Sequence, residues 1–227
     1  MKCVAIDVET TGLTPWTNKI LGLSLSFFEN EYIKSAYFPF KGEVFPVPKE
    51  ILEDETIIKI GHNVRFDIMF LTLHGYTVRG AWEDTKLLAQ MVNENRPLDL
   101  KSLAREYFGN HATEADTVLN ACLKKLKLTK KDLGDARIPQ DILENYCNED
   151  TRNTLKLFVH LQDKCLPGVK EYYKTEMMPL EKLLMDMEMR GNVIDMYKLR
   201  EAEIALTARV ADCTEKLDAL LAEDILK

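Results

Sequence analysis

The chain has no surplus of positive charge: 30 lysines and arginines stand against 37 acidic residues, for a net charge of −7. That balance excludes a protein that coats nucleic acid by bulk electrostatics. It leaves room for one that grips a short piece of polyanion through metal ions. No apolar run approaches membrane-span length, and Met1-Lys2-Cys3 leads directly into a strand rather than a signal peptide, so no membrane partner is expected. Cysteine is sparse and scattered. Cys3, Cys122, Cys147, Cys165 and Cys213 form neither a C-x-x-C pair nor a zinc spacing. An odd, dispersed set fits the reduced thiols of a cytosolic compartment. Internal repeats and low-complexity segments are also missing.

What is present begins at the N-terminus. Cys3-Val4-Ala5-Ile6-Asp7-Val8-Glu9-Thr10 is an apolar, β-branched run that predicts a strand buried on both faces. Residues i and i+2 of a strand share a side, so Asp7 and Glu9 stand together at its carboxyl end. Two adjacent anions repel and are costly to desolvate. Either the strand has ended and both are solvated, or a hard divalent cation such as Mg²⁺ or Mn²⁺ lies between them.

Further strands are expected over Ile20–Phe28 and Glu31–Phe38, joined as an antiparallel hairpin, and over Thr56–Ile60 and Gly75–Val78. A loop with three prolines spans Pro39 to Pro48, and a short helix lies near Ile51–Glu55. In Gly61-His62-Asn63-Val64-Arg65-Phe66-Asp67, Asn63 reads as a helix cap that places Asp67 in the first turns. Asp84 and Asp99 are expected to cap the next two helices, with Leu98 and Leu103 as a hydrophobic staple. Strands first and helices later, with crossovers between, predict an α/β layered domain. Lys124–Lys131 is the one basic run; it reads as a solvated helix end or as a phosphate-contacting edge.

A long helix from about Pro139 to Leu161 carries an apolar stripe of Leu143, Tyr146, Cys147, Asp150, Thr154, Leu157, Phe158 and Leu161. Asp150 takes a core position in that stripe, with Tyr146 one turn earlier on the same face. Either Asp150 reaches solvent at the stripe's edge, or it shares a metal with Asp7 and Glu9.

In their order and surroundings, Asp7-Val8-Glu9-Thr10-Thr11-Gly12, Asn63-Val64-Arg65-Phe66-Asp67 and Tyr146-Cys147-Asn148-Glu149-Asp150 resemble the three motifs of the DnaQ-like (DEDD) 3′–5′ proofreading exonucleases. That superfamily has an RNase H-like fold. Tyrosine four residues before the last aspartate marks the DEDDy branch; a DEDDh member carries histidine five before it, where this chain has Asn145. Gly61–Asp67 and the helix start at Leu98–Ala104 are most similar to the exonuclease domain of family A DNA polymerases.

The resemblance covers roughly residues 1–165. It implies a mixed sheet flanked by helices, an exonuclease domain at 1–168, and a helical segment at 169–227 resembling the start of a polymerase domain. It further implies catalysis by two divalent ions, Mg²⁺ or Mn²⁺, about 3.5–4 Å apart. Asp7 would bridge both ions, Glu9 and Asp150 would complete one site, Asp67 would hold the other, and Tyr146 would orient the attacking water. Thr10, Leu13 and Asn63 match positions lining the pocket for the terminal nucleotide; their ordinary roles are turn residue, core residue and cap. Arg96 is either a phosphate contact or a solvated loop residue.

The expected activity is removal of nucleoside monophosphates from single-stranded or frayed DNA 3′ ends. RNA trimming in the manner of RNase D, and a non-catalytic module binding DNA or a polymerase, are the alternatives. The resemblance places the chain in a bacterial or phage-infected cytoplasm. No palm-like carboxylate pair follows residue 170, so no polymerase activity is expected within the chain. The helical pattern is still running at Lys227, and Leu180, Leu183, Met187, Leu199, Ile204, Val210 and Leu217 supply more apolar surface than two helices bury. A polymerase region in the same or a separate chain is the expected partner.

Overall fold

The computed structural model describes residues 2–40 and 48–225; most of the expected proline loop, residues 41–47, lies outside them. Five strands form one mixed sheet: β1 (Cys3–Thr10), β2 (Ile20–Glu29), β3 (Tyr32–Pro39), β4 (Ile58–Gly61) and β5 (Trp82–Asp84), in the order β3-β2-β1-β4-β5. β1 is central. It pairs antiparallel with β2, which continues antiparallel into β3 through a turn at Asn30 (φ 57°), and parallel with β4, which pairs parallel with β5. Val4, Ala5, Ile6 and Val8 are buried, as the unbroken apolar run of a doubly covered strand requires.

Flanking the sheet are α1 (Lys49–Glu53), α2 (Val64–Leu73), α3 (Thr85–Val92), α4 (Leu100–Phe108), α5 (Glu114–Leu126) and α6 (Gln140–Lys164). α6 packs across β1, β2 and β3, and α2 packs on β1 and β4. The core gathers Ala5, Ile60, Leu88, Leu103, Leu155, Leu157, Phe158 and Leu161. The hairpin, the central strand and the stripe of α6 follow the sequence reading. α6 is more deeply buried than its apolar stripe indicates, because polar residues outside the stripe are employed. Thr151 Oγ1 meets Ser24 and Ser26 Oγ at 2.9 and 2.7 Å, and Asn153 donates to the Ala112 carbonyl at 2.7 Å.

One expectation fails locally. Gly75–Val78 forms no strand; the strand lies at Trp82–Asp84, where two acidic residues hide it from a hydrophobic pattern. Both acids are buried there: the Asp84 carboxylate accepts the amides of Asn63, Val64, Lys86 and Leu87, while Glu83 Oε2 is buried without a hydrogen-bond partner among the described residues. The described chain divides into two compact units, Met1–Asp186 and Met187–Lys227. The first includes α7 (Pro167–Tyr172) and the π-helical turn Tyr173–Met177 that follows it. Tyr173 is fully buried, and its hydroxyl accepts from the Asp84 amide at 2.8 Å. α8 (Met178–Arg190) adds the Arg65–Glu181 ion pair at 3.1 Å and the buried Met185. α9 (Met196–Ile225) starts after the Gly191 break, with Asp195 accepting from the Tyr197 and Lys198 amides. Residues 191–221 are exposed throughout, including Leu199, Ile204, Val210 and Leu217.

Lys59, fully buried on β4, donates to the carbonyls of Asp54 (2.6 Å), Ile57 (3.0 Å) and Arg79 (2.6 Å), tying both flanking loops to the sheet. Methionine keeps the packing but leaves three carbonyls without this donor. Lys59→Met is therefore expected to lower the unfolding free energy by roughly 2–4 kcal/mol, read from urea denaturation. An unchanged midpoint would show that water takes over all three bonds.

Candidate active site

β1 carries the site because it outruns its parallel neighbour. Its pairing with β4 ends at Ala5↔Ile60, while pairing with β2 continues and shifts register between Glu9 and Thr10. The β4-side edge beyond Ala5 is thus open to α2. Asp67, in the first turn of α2, fills the opening: its Oδ1 accepts the Val8 amide at 3.0 Å. Asp7 and Glu9 lie on one side of β1, and α6 brings Asp150 to them. One carboxylate oxygen from each of Asp7, Glu9 and Asp150 lies within 4.8 Å of the others. Asp67 is outside that trio, but among charged groups Asp7 acts on it most strongly.

Strong electrostatic stress follows from this convergence. Desolvation, opposed by Lys101, raises Asp7 from 3.8 to about 6. Desolvation and the Asp7 charge raise Glu9 from 4.5 to about 8, although Lys101 pulls it down. Burial and Asp7 likewise push Asp67 well above the usual carboxylate range. Tyr146 is buried beside the cluster, and burial with Glu9 and Asp7 holds its hydroxyl far above the ordinary tyrosine value, so it remains a donor. Cys147 Sγ donates to Glu9 Oε1 at 3.7 Å, and burial keeps it a thiol rather than a thiolate. The trio offers only carboxylate oxygen, with no histidine or thiolate, a set that suits a hard divalent cation and not a zinc site.

Lys101 was not singled out by sequence reasoning, and Lys130 only as a member of the basic run. Lys101, in the first turn of α4, forms an ion pair with Asp150, and its Nζ lies 4.4 Å from the Tyr146 ring centroid. Lys130, from the basic run, lies 5.0 Å from the same centroid and donates to Asp116 at 2.6 Å. A lysine opening a helix reads as solvated, and only the fold turns this one inward. Glu149 is also missed; it caps α5 by accepting the amides of Ala115 and Asp116 at 2.9 and 3.3 Å.

The other expected residues are distributed unevenly. Leu13 is 84% exposed just past β1, so it is no core residue. Thr10 Oγ1 donates to the Gly12 carbonyl at 2.7 Å, the turn role. Asn63 occupies the cap position of α2 with φ 76°, but its side chain makes no capping bond. Asp84 does that work: its carboxylate accepts the Asn63 and Val64 amides (3.2 and 2.8 Å), and also caps α3 through Lys86 and Leu87. The side-chain amide of Asn63, on an exposed residue, is therefore not committed to capping the helix. Arg96 is engaged elsewhere, bonded to Glu106 at 2.9 Å and lying over Tyr107, with its side chain only 9% exposed.

The family model for the 3′–5′ exonuclease domain of family A DNA polymerases matches residues 1–165. The chain belongs to this family. This exonuclease domain is 32% identical over 227 residues to the DNA polymerase of Escherichia phage T5, covering 94% of the chain and 26% of the phage protein. It is 27% identical over 206 residues to DNA polymerase I of Borreliella burgdorferi, covering 88% and 22%. The chain thus spans about a quarter of the length of these relatives. Among solved structures, Brucella melitensis NrnC with bound Mg²⁺ superposes with a TM-score of 0.60 at 21% identity, covering 86% of this chain and 90% of NrnC. Pol1 from M. smegmatis gives 0.62 at 17%, covering 92% and 32%. Escherichia coli RNase D gives 0.55 at 17%, covering 85% and 46%. At those identities the likeness establishes the RNase H-like fold of the exonuclease domain.

Proposed function

We propose that this chain is a metal-dependent 3′–5′ exonuclease that removes nucleoside monophosphates from single-stranded or frayed DNA 3′ ends, working as the proofreading part of a DNA polymerase. The observation that carries the proposal is the meeting of Asp7, Glu9 and Asp150 within 4.8 Å, beside Tyr146, in a chain of exonuclease family. Those three carboxylates and Asp67 would hold two ions, Mg²⁺ or Mn²⁺. When bound, such ions stabilise charge on the attacking and leaving oxygens of an in-line displacement at phosphorus.

The protein groups then position and exclude. Tyr146 keeps its proton, so it acts as a hydrogen-bond donor that orients the attacking water and not as a base. Exposed Leu13 offers an apolar surface for the terminal base, and Asn63, held at positive φ, offers its side-chain amide to the terminal nucleotide. Thr10 shapes the turn that presents Leu13. Arg96 serves the α4 region and contacts substrate only if it leaves Glu106.

Tyr146→Phe retains the ring and loses one hydrogen bond, a contribution of about 1–3 kcal/mol to the barrier. Turnover is expected to fall roughly tenfold to a hundredfold, well short of the carboxylate variants. Single-turnover rates check this; a wild-type rate would make Tyr146 a packing residue.

RNA trimming is the second reading, favoured by the fold shared with RNase D. The polymerase relatives favour DNA. Matched single-stranded DNA and RNA of one sequence, compared by kcat/KM, decide between them: faster RNA cleavage would replace the DNA assignment. A polymerase region is the partner we infer for the exposed apolar residues of α9, and a bacterial or phage-infected cytoplasm is the inferred setting. No helix among the described residues is long and apolar enough to cross a membrane.

A further inference from the structure

Lys101 is built into the acid cluster more firmly than a surface ion pair requires. Its backbone is fixed by three neighbours: Asp99 caps α4 through the Ser102 amide at 2.9 Å, His62 Nε2 meets the Leu98 carbonyl at 2.8 Å, and Leu103 is fully buried. Its side chain is 14% exposed and runs to Asp150 alongside the Tyr146 ring. Aromatic contact supports the stem and the charge together. The head group, by contrast, is a compact charge on four rotatable bonds, able to exchange partners without moving the helix. Lys130 is the contrasting case: it has its own carboxylate, Asp116, and needs none from the cluster.

The charge balance around Asp150 argues that its pairing with Lys101 is one state of two. Asp7, Glu9, Asp67 and Asp150, the four carboxylates that would ligate, together carry four negative charges when ionised, which two divalent ions neutralise. Of the other carboxylates that act on Lys101, Asp116 is paired with Lys130 and Glu149 caps α5, so the Lys101 head group loses its one direct hydrogen-bonded partner among the described residues once Asp150 ligates an ion, at a place the protein keeps from water. The group that arrives with one negative charge is the scissile phosphodiester. Buried charge is retained only where something neutralises it, so the ammonium has a partner both before and after the ions bind.

We propose that Lys101 is the substrate-facing cation of this site: it rests on Asp150 while the cluster is free of metal, and it passes to a non-bridging oxygen of the scissile phosphodiester once Asp150 ligates a divalent ion. The inference rests on the two-ion reading above. It makes Lys101 a competitor for the ion and a contact for the substrate. Removing its charge therefore acts in opposite directions on the two.

The experiment uses the whole chain and two separate binding measurements. Mn²⁺ is titrated by calorimetry into metal-free wild type, Lys101→Met and Lys101→Gln, without nucleic acid. Both variants are expected to bind Mn²⁺ more tightly, by about tenfold, the scale on which neighbours of ligands tune metal affinity. Binding of a short oligodeoxythymidylate in Ca²⁺ is expected to weaken severalfold in the same variants. Thermal melting identifies a variant that has lost its fold, and the second variant then carries the test. Unchanged or weaker Mn²⁺ affinity in a folded variant overturns the proposal. Tighter Mn²⁺ binding with unchanged oligonucleotide affinity overturns the phosphate contact. Failure of wild type to bind Mn²⁺ strikes the two-ion reading itself, and is thereby distinguished from failure of the Lys101 assignment.

Discussion

Asp7→Ala is expected to lower 3′-terminal nucleotide release by roughly a thousandfold or more, because it removes a ligand on which the charge stabilisation of the whole reaction depends. The fold is expected to survive. Asp7 is held in a site where burial already disfavours its charge, and where Glu9 and Asp67 repel it. Deleting it relieves that stress, so metal-free stability near pH 7.5 stays equal or rises. Asp67→Ala makes the informative contrast. It should be equally inactive but less stable, by about 1–3 kcal/mol, since the buried Val8 amide loses the Asp67 carboxylate that accepts it. Thermal melts beside single-turnover rates distinguish loss of chemistry from loss of packing. Substantial turnover in Asp7→Ala would remove the carboxylate cluster from the mechanism.

The second large effect is the dependence of stability on pH and metal. Asp7 and Glu9 rise from 3.8 and 4.5 in the unfolded chain to about 6 and about 8 in the fold. Between those values the native state binds more protons than the unfolded state, so unfolding free energy falls as pH rises. Metal-free protein is therefore most stable below about pH 4 with respect to these groups. That contribution is lost progressively up to about pH 8. A divalent ion reverses the sign by binding the ionised carboxylates. At a hundred times its dissociation constant an ion adds about 2.7 kcal/mol. Its stabilising effect should grow with pH across this window. Melting curves from pH 5 to 8.5, with EDTA and with Mn²⁺, measure both trends. A metal increment independent of pH would mean that the carboxylates are not its ligands.

Much of the scaffold was legible in the sequence because its signals are periodic. The apolar run of β1, the hairpin and the stripe of α6 each declare one period and one buried face. The acidic pair and Asp150 were legible for the opposite reason, as charges at positions where the period requires apolar residues. Harder to read were residues whose roles depend on where another element arrives. Asn63 has the composition of a cap, but Asp84, 21 residues later, makes the bonds. Lys101 has the local context of a solvated helix start, and becomes an interior cation only because α6 brings Asp150 beneath it. β5 was missed because Glu83 and Asp84 break its apolar pattern although the fold buries both. Tyr173, buried against Asp84, was not legible as an anchor because it lies in a π-helical turn that has no periodic signature.

The most direct test of the central claim follows the ends of one single-stranded DNA oligonucleotide, labelled in turn at the 3′ and the 5′ terminus, with Mg²⁺, Mn²⁺ or EDTA. The 3′ label is expected to appear first, as a mononucleotide, with either metal and not with EDTA, while the 5′-labelled strand shortens one nucleotide at a time. A first product from the 5′ end, cleavage within the strand, or release that persists in EDTA would contradict the assignment of Asp7, Glu9, Asp67 and Asp150 as the metal ligands of a 3′–5′ exonuclease.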